Sequence, residues 1–371
     1  MIKVLQSVSS LGIGGNELSV MNFFRNIDKS QFQVDFLIYD ERLEFAEEVK
    51  AAGAKIYLCP QKQANKLVRT FIEAKFAYRT LKENHYDIIH CNGCSFVNIM
   101  RAAIPARLVG NVKIIAHGHS VGKLNKNPIE RAVYAVFRGI LSACAHRGFS
   151  CSDLVAKSKY TRRFIKSDKH VMIRNAIAVE KYRFDQNNRD GIRKQYGLEN
   201  KMVIGHVGRL AEEKNQSFLL DVLASLRKKR ENAALLLVGG GAMMEELKEK
   251  AARLGIENDV VFTGSVFDAQ RYYSAMDVFA MPSLYEGLPF TAIEAQVNGL
   301  KCVLSDGITR NANISGDVQY ASLSDGPELW AEKICQCAES RSEEEKNQRV
   351  VEQYDIKKET LRLQEIYQSV L

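Results

Sequence analysis

Glu286 and Glu294 are separated by seven residues that begin Gly287, Leu288, Pro289, Phe290, Thr291. Proline suits the first position of a helix, where its missing N–H costs nothing. The run is therefore expected to open a helix whose free amides around Leu288 to Thr291 point toward an anion. At about 1.5 Å of rise per residue, Glu294 falls roughly 7–8 Å further along that helix. This is close to the span from a diphosphate to the ribose of a sugar nucleotide. In chain order the segment offers a sugar contact in Glu286, a phosphate cradle in Gly287, Leu288 and Pro289, and a ribose contact in Glu294. Two glutamates on a solvated helix face are the plain alternative in a chain that is 26% charged. The preceding run, residues 275–283 (AMDVFAMPS), favours the chemical reading. It has the pattern of a buried strand closed by a Pro-Ser turn, and open α/β sheets bind ligands at such strand ends.

Other residues with chemical potential fall at comparable positions. Arg209 follows an apolar run and precedes Lys214 by five residues. Two cations at a strand end can neutralise a departing diphosphate, although Asn215 could equally cap an exposed helix start. Gly239, Gly240 and Gly241 follow another apolar run and let backbone come close to a nucleotide. Gly12, Gly14 and Gly15 form a loop directly after the first strand, but Glu17 stands where a dinucleotide fingerprint has its third glycine, which argues against a nicotinamide cofactor. Gly14 and Gly15 still permit close approach to a phosphate or sugar. His117 and His119 end a further strand, and His119 suits a hydrogen bond to a sugar hydroxyl or a structural role. The sequence has no Asp-x-Asp, which weakens a divalent-metal mechanism for a sugar nucleotide. His90, Cys91 and Cys94 lack the second Cys/His pair that zinc would need, so strand-end packing is expected there.

The chain has 371 residues, 46% of them hydrophobic, and a net charge of +8. That length and composition imply two globular domains. With no apolar run long enough to span a bilayer and no cleavable leader pattern, the expected location is the cytoplasm. The charge is concentrated: residues 101–174 hold fifteen basic and three acidic side chains, a local excess of +12. A solvated face or anionic partners would both explain this, including an anionic membrane surface that holds the protein peripherally at the inner leaflet. Aromatic residues are not interleaved with the bases, so no nucleic-acid partner is expected.

These residues need elements to position them, and strand-like and helix-like patterns alternate throughout. Strands are expected at 2–8, 32–38, 55–58, 88–90, 113–116 and 149–152, then at 203–207, 234–238, 260–262, 278–281 and 302–304. Helices are expected at 17–25, 43–52 and 67–84, then at 216–230, 243–254, 269–274 and 289–299. Such alternation implies parallel sheets with helices on both faces. The pattern breaks at 171–183, where a linker is expected. The segment 342–371 reads as helical, with an apolar set of Tyr354, Ile356, Leu361, Leu363, Ile366, Tyr367 and Val370.

Taken together, the Gly-Gly-x-Glu loop, His119, Arg209 with Lys214, and Glu286-x7-Glu294 resemble, in order and over nearly the full length, the retaining GT-B glycosyltransferases of family 4. The stretches 304–310 and 328–334 resemble an exopolysaccharide and capsule subgroup. The chain lacks the Gly-Gly-x-Pro-Glu turn that many members carry after the last donor-domain strand. The resemblance implies an α/β fold with two Rossmann-like doubly wound domains facing a cleft: an acceptor domain over 1–175, a donor domain over 176–352, and a helix over 353–371 returning to the first domain. It implies transfer of a hexose or N-acetylhexosamine from a nucleoside diphosphate sugar, UDP-linked, to a saccharide acceptor on a lipid, with no cofactor or metal. Arg209 and Lys214 would hold the diphosphate, Glu286 the sugar and Glu294 the ribose. Backbone at Gly208, Gly240 and Val266 would meet the nucleotide, Gly14 and Gly15 the phosphate, and His119 the transferred sugar. A sugar-nucleotide epimerase, a phosphorylase-like enzyme or a non-catalytic partner subunit of the same fold are the alternatives.

Overall fold

The structure is a computed structural model that describes residues 1–60, 65–121, 128–228, 230–286 and 288–371. The chain divides into two compact units, Met1–Ala176 with Ile356–Leu371, and Ile177–Asp355.

The first unit alternates strand and helix in this order: β1 (Ile2–Val8), α1 (Gly15–Asn26), β2 (Phe32–Ile38), α2 (Ala46–Ala51), β3 (Ile56–Leu58), α3 (Lys66–Asn84), β4 (Ile88–Gly93), α4 (Phe96–Val109), β5 (Lys113–Gly118), α5 (Pro128–Cys144), β6 (Arg147–Ser150), α6 (Asp153–Lys159), α7 (Arg162–Ile165) and β7 (His170–Met172). Among the described residues its sheet has the order β3-β2-β1-β4-β5-β6-β7, and the pairings are parallel. The order reverses between β1 and β4.

The second unit repeats the plan: α8 (Gln186–Tyr196), β8 (Met202–Val207), α9 (Gln216–Arg227), β9 (Ala233–Val238), α10 (Met244–Arg253), β10 (Val260–Phe262), α11 (Gln270–Ala275), β11 (Val278–Met281), α12 (Phe290–Val297), β12 (Cys302–Ser305), β13 (Val318–Ala321), α13 (Gly326–Ala338) and α14 (Glu344–Tyr354). Its sheet runs β10-β9-β8-β11-β12-β13, and the reversal falls between β8 and β11. Ile204 pairs with Val278 and Gly205 with Phe279 across it. In open α/β sheets that crevice is where ligands bind.

Strands covered on both faces read as unbroken apolar runs, and alternate residues serve opposite cores. Val203, Leu236, Phe279 and Leu304 join one cluster with Ile293 of α12. Ile204, Leu235, Val278 and Val303 join the other with Trp330 of α13.

The final helix, α15 (Ile356–Val370), belongs to the first unit. Ile356, Leu363 and Tyr367 are buried, and Gln364 Oε1 accepts the Asp28 amide at 2.7 Å. Leu361, expected in its apolar set, is 60% exposed. Tyr354 ends the separate helix α14 in the second unit.

Several elements differ from the sequence reading. β4 and β5 run to Gly93 and Gly118, so Asn92 and His117 are strand residues. The expected linker at 171–183 begins inside β7. Pro289 is the N-cap of α12, not its first helical residue, because its ψ of 127° is extended and helical geometry begins at Phe290.

Candidate functional site

The loops after β8 and β11 flank the reversal in the second sheet, and backbone bonds lock them together. Asn215, at φ 55°, adopts a left-handed conformation that Asn tolerates. It caps α9 by position only, because its side chain donates to Pro282 O at 3.3 Å. The Leu284 amide donates to Glu213 O at 2.9 Å, and the Glu286 amide to Gly307 O at 3.2 Å. Ser305 Oγ donates to Ser283 O. A Cβ on Gly307 would lie 2.2 Å from Leu284 O, so only glycine lets these two chains cross.

Lys214 ends a short 3-10 turn, Glu212–Lys214. Its ammonium donates to Glu286 Oε1, and both side chains are about one-fifth exposed. Arg209 is 71% exposed and pairs with Glu213 Oε1 at 2.5 Å. The two expected phosphate ligands are therefore not bare cations: each is held by its own carboxylate. The pairing preorganises an alternating cluster of charge at the strand edge, with N–H donors and carboxylate acceptors side by side.

Arg209 is also fixed from behind. Gln216 Nε2 donates to Arg209 O at 2.9 Å and lies 3.1 Å from His206 Nε2. His206 Nδ1 therefore carries the proton and donates to Ala280 O at 2.9 Å. Burial pushes His206 down to about 4, so the ring is neutral at ordinary pH. Gln216 and His206 were not anticipated. A histidine inside an otherwise apolar strand was the available signal.

The glycines after β9 close the same edge. The Gly208 amide donates to Val238 O and the Leu210 amide to Gly240 O, both at 2.9 Å. A Cβ on Gly239 would lie 2.2 Å from Gly208 O, one on Gly240 2.5 Å from Ser265 Oγ, and one on Gly241 2.1 Å from Leu210 O. Gly208 and Gly240 thus each tie the two loops together through the backbone, Gly208 to Val238 and Gly240 to Leu210. Val266 is half-buried and packs on the core beneath.

Leu288 is buried and anchors the start of α12, and Pro289 caps it without a side-chain acceptor. Gly287 lies outside the described residues. Ser283 Oγ and Thr291 Oγ1 are buried with no hydrogen-bond partner among the described residues. Down α12, half-buried Glu294 accepts from Tyr273 Oη at 2.5 Å. Burial raises its carboxyl above the usual range, and the hydrogen bonds from Tyr273 and Tyr182 pull it partly back.

In the first unit, Gly14 is the N-cap of α1 and Gly15 its first residue, again with no side-chain cap. Glu17 accepts from Ser10 Oγ at 3.0 Å, and a Cβ on Gly14 would meet its Oε2 at 2.5 Å. His119 follows β5, with Nε2 3.0 Å from Asn92 Oδ1. Asn92 in turn donates to Gln6 Oε1 at 2.8 Å. Tyr367 Oη accepts from Gln6 Nε2 at 3.1 Å and donates to His90 Nδ1 at 2.6 Å. His90 Nε2 then donates to His117 Nδ1 at 3.1 Å. Burial lowers all three histidines, His90 to about 3. The three rings form a neutral polar stack tied to α15. Cys91 is buried in the core beside them. Among the described residues no group of three or more His, Cys, Asp or Glu could hold a metal ion. No described helix is long and apolar enough to cross a membrane.

Two doubly wound sheets, the second with paired cations and carboxylates at its reversal point, define the architecture of a sugar-transferring enzyme class. The chain belongs to the family 4 glycosyltransferases and has their GT-B fold. Residues 13–181 match the family described as Glycosyltransferase Family 4, and residues 188–354 match Glycosyl transferases group 1. It is 31% identical over 342 residues to the Bacillus subtilis protein EpsF, a glycosyltransferase by name, covering 91% of this chain and 88% of EpsF. It is 25% identical to the capsular polysaccharide biosynthesis glycosyltransferase CapH of Staphylococcus aureus, covering 100% of this chain and 99% of CapH. The crystal structure of Anabaena HepE in complex with UDP and glucose superposes with a TM-score of 0.80 at 19% identity, with both chains fully covered.

Proposed function

We propose that this chain transfers a hexosyl or N-acetylhexosaminyl group, with retention, from a UDP-linked sugar to a saccharide acceptor on a lipid in surface polysaccharide synthesis. The observation that carries the reading is the Lys214–Glu286 pair at the reversal point between β8 and β11, beside the uncapped start of α12. The pair gives a cation for the diphosphate and a carboxylate for sugar hydroxyls at one strand edge.

In this reading Arg209 and Lys214 turn toward the diphosphate and stabilise the charge that grows on it. The backbone at Gly208, Gly240, Leu288 and Pro289 borders the phosphates and sugar, and Val266 borders the base. Glu286 accepts hydrogen bonds from the sugar, and Glu294 from the ribose hydroxyls. For the first unit, Gly14 and Gly15 are proposed as a phosphate contact and His119 as a partner of the transferred sugar. With Nε2 donating to Asn92 Oδ1, the neutral His119 ring offers Nδ1 as an acceptor for a sugar hydroxyl. The acceptor oxygen attacks the anomeric carbon on the face from which the diphosphate departs. The carbon–oxygen bond to phosphate breaks with its electron pair on the diphosphate, and the acceptor proton passes to that leaving oxygen. No side-chain nucleophile is needed.

UDP bound in HepE and the capsule role in the name of CapH support the donor and pathway class. The test is turnover of a panel of nucleotide sugars by the parent chain and by Glu286→Ala. The expected result is UDP release from one UDP-sugar, with kcat reduced on the order of 10²-fold or more in the variant. Unchanged turnover in Glu286→Ala, or conversion of the donor to an epimer without acceptor, would contradict the reading.

A further inference from the structure

We propose that Asn92 is a positioning residue: it fixes the proton of His119 on Nε2, so the ring meets the transferred sugar as a hydrogen-bond acceptor. This deepens the donor reading and rests on its placement of His119 at the transferred sugar. Asn92 lies on β4 and is 1% exposed. An amide side chain has two donor hydrogens and one acceptor oxygen, and turning it over exchanges them. The orientation of Asn92 is decided by a group that cannot turn over. Its Nδ2 lies 3.1 Å from the backbone carbonyl of His90, which only accepts. The second hydrogen on Nδ2 goes to Gln6 Oε1 at 2.8 Å. Both donors are then used, and Oδ1 faces His119 Nε2 at 3.0 Å. An amide oxygen cannot donate, so Nε2 carries the proton and Nδ1 keeps the lone pair of the neutral ring.

The same carbonyl sets the rest of the network. With Oε1 committed to Asn92, Gln6 presents Nε2 to Tyr367 Oη at 3.1 Å. The phenol then gives its proton to His90 Nδ1 at 2.6 Å, and His90 Nε2 gives its own to His117 Nδ1 at 3.1 Å. His117 is left with a proton on Nε2, a buried atom with no partner among the described residues. Polarity therefore runs outward from Asn92 in two branches. A short one ends at His119, and a long one passes through Tyr367 of α15 and ends at buried His117.

The short branch reaches the surface. His119 is half-buried, whereas His90 and His117 are 3% and 2% exposed. The backbone of His119 is held on both sides: its amide donates to Gly93 O at 3.2 Å, and its carbonyl accepts from Cys151 Sγ at 3.4 Å. The His117 ring lies against it, with centroids 3.9 Å apart. Backbone, ring and Nε2 are all engaged, which leaves Nδ1 for a ligand. A hydroxyl that donates fits this atom, and a group that only accepts does not.

The test reads the ring directly. In protein labelled with nitrogen-15 histidine, two-bond proton–nitrogen correlations show which ring nitrogen carries the proton, and the His119 pattern is assigned by its loss in His119→Gln. The parent is expected to show His119 protonated on Nε2. Asn92→Leu removes the acceptor at similar volume and should turn that pattern into a mixture of both forms. It should also lower kcat/KM for the accepted UDP-sugar about tenfold, with the Kd for UDP, which has no transferred sugar, unchanged. Tyr367→Phe breaks two bonds of the long branch and spares the short one, so it should keep the parent's His119 pattern and kcat/KM. A parent protonated on Nδ1 overturns the proposal without any variant. So does an Nε2 pattern that survives Asn92→Leu, or a loss of kcat/KM in Tyr367→Phe equal to that in Asn92→Leu, since the network would then act by packing alone. The histidine pattern is read without donor, so failure of the donor reading shows separately, as a parent that turns over no UDP-sugar.

Discussion

Tyr273→Phe removes one hydroxyl and should change how donor binding depends on pH. In the free protein the phenol donates to Glu294 Oε2 at 2.5 Å and holds down a carboxyl that burial has raised. A hydrogen bond to a charged group contributes about 1.5–3 kcal/mol. Its loss should therefore raise the Glu294 carboxyl further, with Tyr182 as the remaining donor. The proposed ribose contact requires the carboxylate, so affinity for UDP should fall as pH drops through that value. The variant should begin to lose affinity at a higher pH than the parent. Calorimetric titration of UDP at a series of pH values from acid to neutral reads the inflection directly. The matched control is 2′,3′-dideoxy-UDP, which offers no ribose hydroxyl and should bind both proteins with no such inflection. An unchanged inflection in Tyr273→Phe would refute the electrostatic argument. Equal pH dependence with the dideoxy ligand would refute the ribose role of Glu294.

Two further outcomes follow from packing and protonation, and the single tryptophan, buried Trp330 in the second unit, reports on both by fluorescence. Gly241→Ala forces a Cβ to 2.1 Å from Leu210 O, which should destabilise the second unit by about 1–3 kcal/mol in urea unfolding and weaken UDP binding. As its control in the same unit, Gly191→Ala on an exposed face of α8 meets nothing within 4 Å and should be neutral or stabilising by up to about 1 kcal/mol. His206 stays neutral in the folded chain down to about pH 4, whereas its unfolded value is 6.5. The folded value is depressed, so the unfolded chain takes up the proton first, and stability present above the unfolded value is lost as pH falls from 6.5 toward 4. That loss is worth about 3 kcal/mol. His206→Asn should flatten this slope in the Trp330 signal, and an unchanged slope would assign the acid sensitivity to other groups.

Most strands of both sheets were legible because burial on two faces leaves runs such as residues 233–238 with no polar interruption. The helix α4 was not, since it is apolar on most sides and contains Pro105, so no 3.6-residue period stands out. β13 and α13 were also missed; β13 is only four residues long, with its two central residues half-buried, so it leaves no long apolar run. The candidate donor residues were visible from their positions at strand ends. Their pairing was not: Lys214 meets Glu286, 72 residues away, only because β8 and β11 are neighbours. The same holds for Tyr273 and Glu294, which come together across α11 and α12. Local sequence reports periodicity and turn chemistry, but the partner of a charged side chain is decided by strand order.

The residues at the edge of the second sheet are proposed to support retaining transfer from a UDP-sugar. Proton NMR of the sugar first released from the accepted donor, followed before mutarotation, tests it most directly. An α-linked UDP-sugar is expected to give the α-anomer, with the signal lost in Glu286→Ala. Release of the β-anomer, or release from the variant at the parent rate, would contradict it.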